Sequence, residues 1–214
     1  MKTVVTIDFD IIMAPSIGLY NDKVPGNSWE ELLKDPYFQL LTIDSDHYIK
    51  IIRYLLRCIK HLNKEDIHFI EDHGRVVDFV NSPCNLVNID HHHDCGYEQD
   101  GKEKEWPTCA NWVGYLHNKG FINGYTWYHN SNSMLEPPTK VPRAEYEFDK
   151  IEADDLPLPD ELIICLSEPW VPFSYRPLFY ALMDICNAFY DTHFEITMGP
   201  HQPVEKPQED NGLK

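Results

Sequence analysis

The chain has 214 residues, 35 of them acidic and 18 basic, for a formal net charge of −17, and 43% are hydrophobic. A chain of this length and apolar content buries a core as a single domain. A surface this acidic repels nucleic acid and anionic membrane and attracts cationic substrates. No stretch reaches the apolar length of a membrane span. The first residues, Met1-Lys2-Thr3-Val4-Val5-Thr6-Ile7-Asp8, form too short and broken an apolar run for a secretory signal. The expected compartment is the cytoplasm. Six cysteines (Cys58, Cys84, Cys95, Cys109, Cys165 and Cys186) include no C-x-x-C pair. That pattern predicts reduced, buried thiols rather than disulfides or a thiolate zinc site.

In chain order, Val4 to Asp8 is an apolar run ending in acid and reads as a buried strand. A loop carrying Pro15, Gly18, Pro25 and Gly26 follows. Asp44-Ser45-Asp46 offers caps for a helix whose Ile49, Ile52, Leu55, Leu56, Ile59 and Leu62 recur at helical spacing. Ile67-His68-Phe69-Ile70 reads as a strand ending in Glu71-Asp72-His73-Gly74. A short helix through Val76, Val77, Phe79 and Val80 stops at Ser82-Pro83. Leu86-Val87-Asn88-Ile89 is another strand, with Asp90 to Asp94 at its end. A helix over 109–118 and a strand over 125–129 follow. Residues 130–158 read as irregular, and a long acidic loop in a compact domain is often a lid or binding loop. Strand 162–166 and a helix from Ser174 or Arg176 to Tyr190 complete the domain, placed at 1–195. Residues 196–214 read as a disordered tail.

Strands alternating with helices predict an α/β fold, a three-layer α/β/α sandwich around a mostly parallel sheet. In such folds ligands bind at the carboxyl ends of the strands. Asp8 and Asp10, Asp72 and His73, Asp90 to Asp94, and Ser167 and Glu168 all fall just past predicted strand ends. In Asp90-His91-His92-His93-Asp94, strand alternation would bring Asp90, His92 and Asp94 together and turn His91 and His93 away. Asp8 and Asp10 repel each other unless a cation lies between them. The combined set is Asp8, Asp10, His73, Asp90, His92 and Asp94. Carboxylate and imidazole without thiolate suit manganese, with iron or zinc as the lesser choices. Four negative charges balance two dications, and such a pair activates water for hydrolysis near neutral pH.

These residues resemble the arginase–deacetylase superfamily. Phe69-Ile70-Glu71-Asp72-His73-Gly74 looks like its Gly-Gly-Asp-His motif, although Ile70-Glu71 replaces Gly-Gly. Asp90-His91-His92-His93-Asp94 looks like its Asp-Ala-His-x-Asp motif. Asp8-Phe9-Asp10 looks like its Ser-x-Asp-x-Asp strand end, here first in the chain, which implies a permuted strand order. The resemblance implies a compact arginase-like fold holding two manganese ions. Asp8 and Asp90 would bridge the metals, His73 and Asp94 would complete one site, and His92 and Asp10 the other. The compact chain, with Cys165-Leu166-Ser167-Glu168-Pro169-Trp170-Val171-Pro172 and Tyr175-Arg176-Pro177-Leu178, is similar to the peptide arginases. Those enzymes convert arginine residues of ribosomally made precursor peptides to ornithine and urea.

The expected partner is therefore an arginine-containing peptide, with no nucleic acid and no membrane. A guanidinium needs a carboxylate with bidentate geometry. Glu168 and Glu71 are the candidates. A proton donor is also needed, and His91, His93, His117 and His129 are candidates, with His93 inside the motif. Trp106, Trp112, Trp127, Tyr128 and Trp170 either pack the core or line a peptide groove. Two other readings share the site: a hydrolase of a small guanidino compound or acylated amine, and a non-catalytic metal-binding protein.

Overall fold

The computed structural model describes residues 1–14, 42–96, 106–130, 133, 139–168 and 170–199. The predicted Pro15–Gly26 loop, parts of the 130–158 loop, Pro169 and the tail beyond residue 199 lie outside them. Strand β1 (Thr3–Asp8) leads into a 3-10 turn (Phe9–Ile12) and the two-residue β2 (Met13–Ala14), which pairs antiparallel with β3 (Thr42–Ile43). Helix α1 (Ser45–Cys58), β4 (Ile67–Ile70), a 3-10 turn (His73–Asp78), β5 (Cys84–Ile89), α2 (Trp112–Asn118) and β6 (Ile122–His129) follow. Then come β7 (Ala144–Glu147), a 3-10 turn (Phe148–Lys150), β8 (Glu161–Cys165), α3 (Arg176–Tyr190) and β9 (Ile196–Thr197).

Seven strands form one parallel sheet in the order β7-β6-β5-β1-β8-β4-β9. The apolar sequences of β1, β5 and β8 follow from this: strands buried on both faces need no polar alternation. One core cluster joins Val5, Ile7, Phe69 and Ile164 to Ile51 and Leu55 of α1 and to Phe179 and Leu182 of α3. A second joins Val4, Leu86, Ile163 and Cys165 to Trp112, Val113 and Leu116 of α2. The sheet therefore has helices on both faces, as the sequence predicted. No described helix is long and apolar enough to cross a membrane.

Two parts of the prediction are corrected. Residues 144–147, read as irregular, form edge strand β7, and Ala-Glu-Tyr-Glu is nearly all exposed, so it carries no apolar run to betray a strand. The same predicted loop is anchored to α1, where Arg57 Nη1 donates to Ala153 O at 2.7 Å and Tyr54 Oη to Pro157 O at 2.7 Å. The tail boundary also moves. Ile196 and Thr197 pair with Phe69 and Ile70 as edge strand β9, so the ordered domain runs past residue 195.

Gly74 shows how tightly the site's supports pack. A Cβ there would stand 2.8 Å from the Thr108 carbonyl carbon and 3.1 Å from Cys109 N, both backbone atoms. Gly74→Ala should therefore destabilise the fold by about 1–3 kcal/mol, measured as a lower denaturant midpoint in chelator.

Candidate metal centre

Three strand ends meet here, and each uses the same local device. The Asp8 side chain accepts from Asp10 N at 3.4 Å, Asp72 from Gly74 N at 2.8 Å, and Asp90 from His92 N at 2.9 Å. An aspartate two residues before the bonded N–H turns the chain sharply out of the strand. Ligand spacing thus comes from these turns and not from strand pleating, which corrects the predicted alternation. His91 and His93 belong to neither ligand group and are buried, 1% and 0% exposed, while His92 is the least buried of the three.

The turns bring the six predicted ligands together. Around His73 Nδ1 stand Asp8 Oδ2 at 3.1 Å, Asp90 Oδ2 at 3.3 Å and Asp94 Oδ2 at 3.1 Å. One ring nitrogen has one proton or one lone pair, so it cannot serve three carboxylates. Beside them His92 Nδ1 lies 3.8 Å from Asp90 Oδ1 and 4.0 Å from Asp10 Oδ2. Two ligand groups result, Asp8–His73–Asp90 and Asp10–Asp90–His92, and they share Asp90.

Asp10 tests whether this group fits cations. It is 0% exposed, and neither carboxylate oxygen meets a hydrogen-bond donor. A buried, unsatisfied carboxylate is too costly to keep ionised without a cation. Burial, then the charges of Asp8 and Asp90, push the Asp10 carboxyl well above the usual carboxylate range. Burial and Asp90 likewise raise Asp8 and Asp94. Burial also acts on Asp90, but the hydrogen bond and charge of His73, with His92 adding, hold it below its ordinary value. Burial lowers His73, and the surrounding carboxylates overcome that and raise it well above its ordinary value. Buried Asp and His groups at this edge can hold metal, and the four carboxylates match the charge of two dications.

Three residues orient the ligands, a role the sequence reading gave to none of them, although Ser167 stood among the strand-end clusters and Trp112 among the aromatics. Asn88, 0% exposed in β5, donates to Asp90 Oδ2 at 3.1 Å and to His92 O at 3.2 Å, while its Oδ1 accepts from Thr6 Oγ1 at 2.6 Å. A lone Asn inside an apolar strand, two residues before an acid, was the signal. Trp112 Nε1 donates to Asp94 Oδ2 at 2.7 Å, so this indole is both core and ligand support. Ser167 Oγ donates to Asp8 Oδ2 at 3.1 Å from a left-handed backbone, φ 55°. Strain of that kind in a non-glycine residue collects at functional sites. Ser167→Ala should weaken cation affinity by roughly 10–100-fold, measured by manganese titration of chelator-treated protein.

The remaining candidates are placed as follows. Glu168 Oε1 accepts from Arg176 Nη2 at 2.8 Å, and the same nitrogen donates to Glu168 O at 3.0 Å. Glu71 Oε2 accepts from Gly199 N at 2.6 Å, beyond β9. His93 Nδ1 accepts from Cys95 N at 3.0 Å, and its ring meets Trp127 edge-on at 5.8 Å. His91 Nδ1 lies 3.1 Å from Ser133 Oγ. His129 Nδ1 bonds Asn130 O at 3.0 Å. His117 lies in the last turn of α2. Trp127 is buried and donates to Asp90 O at 2.9 Å, whereas Trp106 is 48% exposed. Tyr128 and Trp170 are partly buried against the core. Comparison with family models, curated proteins and solved structures finds no match for the chain.

Proposed function

We propose that the protein is a binuclear manganese hydrolase that converts arginine residues of a peptide to ornithine and releases urea. The observation that carries this reading is the pair of ligand groups sharing Asp90, with Asp10 buried and lacking any donor. Two dications held there supply Lewis acidity and lower the pKa of water, which suits hydrolysis near neutral pH. His73, Asp94 and Asp8 would hold one cation, His92 and Asp10 the other, with Asp90 common to both.

The peptide and guanidinium parts of the reading rest on the sequence motifs and on charge. A chain of net charge −17 draws a cation toward its surface. Glu168 is the candidate carboxylate for the guanidinium, and Arg176, its present partner at 2.8 Å, would have to give way to the substrate. The Glu168 backbone follows Ser167, which holds Asp8, so a substrate guanidinium exchanging with Arg176 at Glu168 would lie near the ligand edge. Water adds to the guanidinium carbon, the C–N bond to the side-chain nitrogen breaks, and that nitrogen leaves as the ornithine amine after taking a proton.

The test is mass spectrometry of arginine-containing peptides incubated with manganese-loaded protein, run beside free arginine, agmatine and acetylated amines. The expected result is a mass loss of one cyanamide equivalent per arginine, with urea formed in equal amount. Turnover of only the small guanidino compounds or acetylated amines would replace the peptide reading. No turnover of any of them by fully loaded protein would leave a binding protein.

A further inference from the structure

The turn that carries Asp90, His92 and Asp94 begins where β5 ends, at Ile89, so its carbonyls have left the strand ladder. A buried carbonyl without a donor costs free energy. Donors are present for those of Asp90, His92, His93 and Asp94. Trp127 Nε1 donates to Asp90 O at 2.9 Å, Asn88 Nδ2 to His92 O at 3.2 Å, and Tyr125 Oη to His93 O at 2.7 Å. Asp94 O accepts from Val113 N of α2 at 3.1 Å. The Cys95 thiol also reaches His93 O, at 3.3 Å, but a thiol is a weak donor.

Two of these donors come from β6. Tyr125 and Trp127 sit two residues apart, in register with Leu86 and Asn88 of β5, and are 4% and 3% exposed. Strand alternation puts them on one face of the sheet, and both belong to the core cluster that includes α2. Packing alone would accept two phenylalanines there. Phenol and indole add a polar hydrogen each, and each hydrogen is spent on a carbonyl of the ligand-bearing turn. Burial pushes the Tyr125 hydroxyl well above its ordinary pKa, which keeps it a donor. Tyr125 Oη in turn accepts from Asn88 Nδ2 at 3.5 Å, which links it to the amide that holds Asp90 Oδ2.

We propose that Tyr125 and Trp127 are positioning residues for the metal centre. By bonding main-chain carbonyls they fix the Asp90–Asp94 turn in its ligand-presenting shape before any cation arrives. The proposal rests on the binuclear reading of the six ligands. Both side chains act through the backbone of the turn and not through a ligand atom. Their contribution therefore lies in the O–H and N–H and not in the volume of the rings.

The test compares chelator-stripped, full-length wild type with Tyr125→Phe, Trp127→Phe and, as a control, Tyr48→Phe. Tyr48 Oη donates to Leu178 O at 2.9 Å, the same kind of bond, but between α1 and α3. Manganese affinity and stoichiometry, the cobalt absorption spectrum, and the denaturant midpoint in chelator are measured for each. Tyr125→Phe and Trp127→Phe should still hold two equivalents, with affinity lower by roughly 10–100-fold and an altered cobalt spectrum. Tyr48→Phe should lower the midpoint and keep wild-type affinity and spectrum. If both β6 variants lose only midpoint, as the control does, Tyr125 and Trp127 are packing residues and the proposal is overturned. Wild type that binds no manganese would overturn the binuclear reading itself, and this proposal with it.

Discussion

Replacing Asp90 by asparagine is expected to remove stoichiometric binding of both cations at the six-ligand centre and to lower urea formation by more than roughly a thousandfold. Asp90 is the one carboxylate common to both ligand groups. It is also the one held in its ionised form by its neighbours, so the amide removes a charge the site is built to keep. Asp10→Asn offers a sharp contrast. It should cost one cation and most activity, yet stabilise the metal-free protein by about 1–3 kcal/mol, because it removes a buried group with no donor and little reason to ionise. Metal counting and chemical denaturation in chelator separate the two variants. If Asp10→Asn destabilised the metal-free protein as much as the loaded one, Asp10 would be a packing residue and no ligand.

Metal should also reverse the pH dependence of stability. In the metal-free protein Asp8, Asp10 and Asp94 titrate above their ordinary 3.8. His73 titrates above its ordinary 6.5. A folded-state pKa above the unfolded one favours folding fully below the unfolded value, and that stability is lost as pH rises through the folded value. Asp90 and His91 have the opposite sign: the contribution of Asp90 is complete above 3.8, while His91, lowered by burial to about 4, offsets part of the loss between about pH 4 and 6.5. From about pH 4 to pH 8 the metal-free protein should therefore lose stability. Cations displace those protons, so their affinity rises over the same interval. At free manganese a thousandfold above Kd, each site adds about 4 kcal/mol, or about 8–16 °C in Tm for a chain of this size. Thermal unfolding in chelator and in manganese at three pH values tests this, and parallel curves would contradict it.

Much of the fold was legible because buried parallel strands write themselves as apolar runs. Val4 to Ile7 and Leu86 to Ile89 are of that kind, and the acid after each run, Asp8 and Asp90, marked the edge where ligands gather. All six predicted ligands arrive at that edge. Strands β7 and β9 were not legible because edge strands need neither length nor apolar faces. The means of assembly was also hidden. Aspartate turns at Asp8 and Asp90 replace the pleat, and turn chemistry at a strand end looks like alternation when only spacing is read. Asn88, Trp112 and Ser167 were missed as ligand supports because their meaning depends on distant partners: Ser167 and Asp8 are 159 residues apart. Glu168 was named as a candidate, but its pairing with Arg176, where the chain enters α3, was not legible.

The strand order carries a last consequence, for how the protein is made. All six ligands lie within the first 94 residues, yet β1 and β4, which deliver Asp8 and His73, do not touch. Strand β8, residues 161–165, lies between them. A ribosome can therefore finish every ligand long before the complete centre exists. Only when the last quarter of the chain emerges can β8 slide into its slot and close the sheet, a long-range pairing of the slow kind. The Asp10–Asp90–His92 group lies across β1 and β5, which pair directly, so it is the seating of His73 beside Asp8, Asp90 and Asp94 that waits for β8.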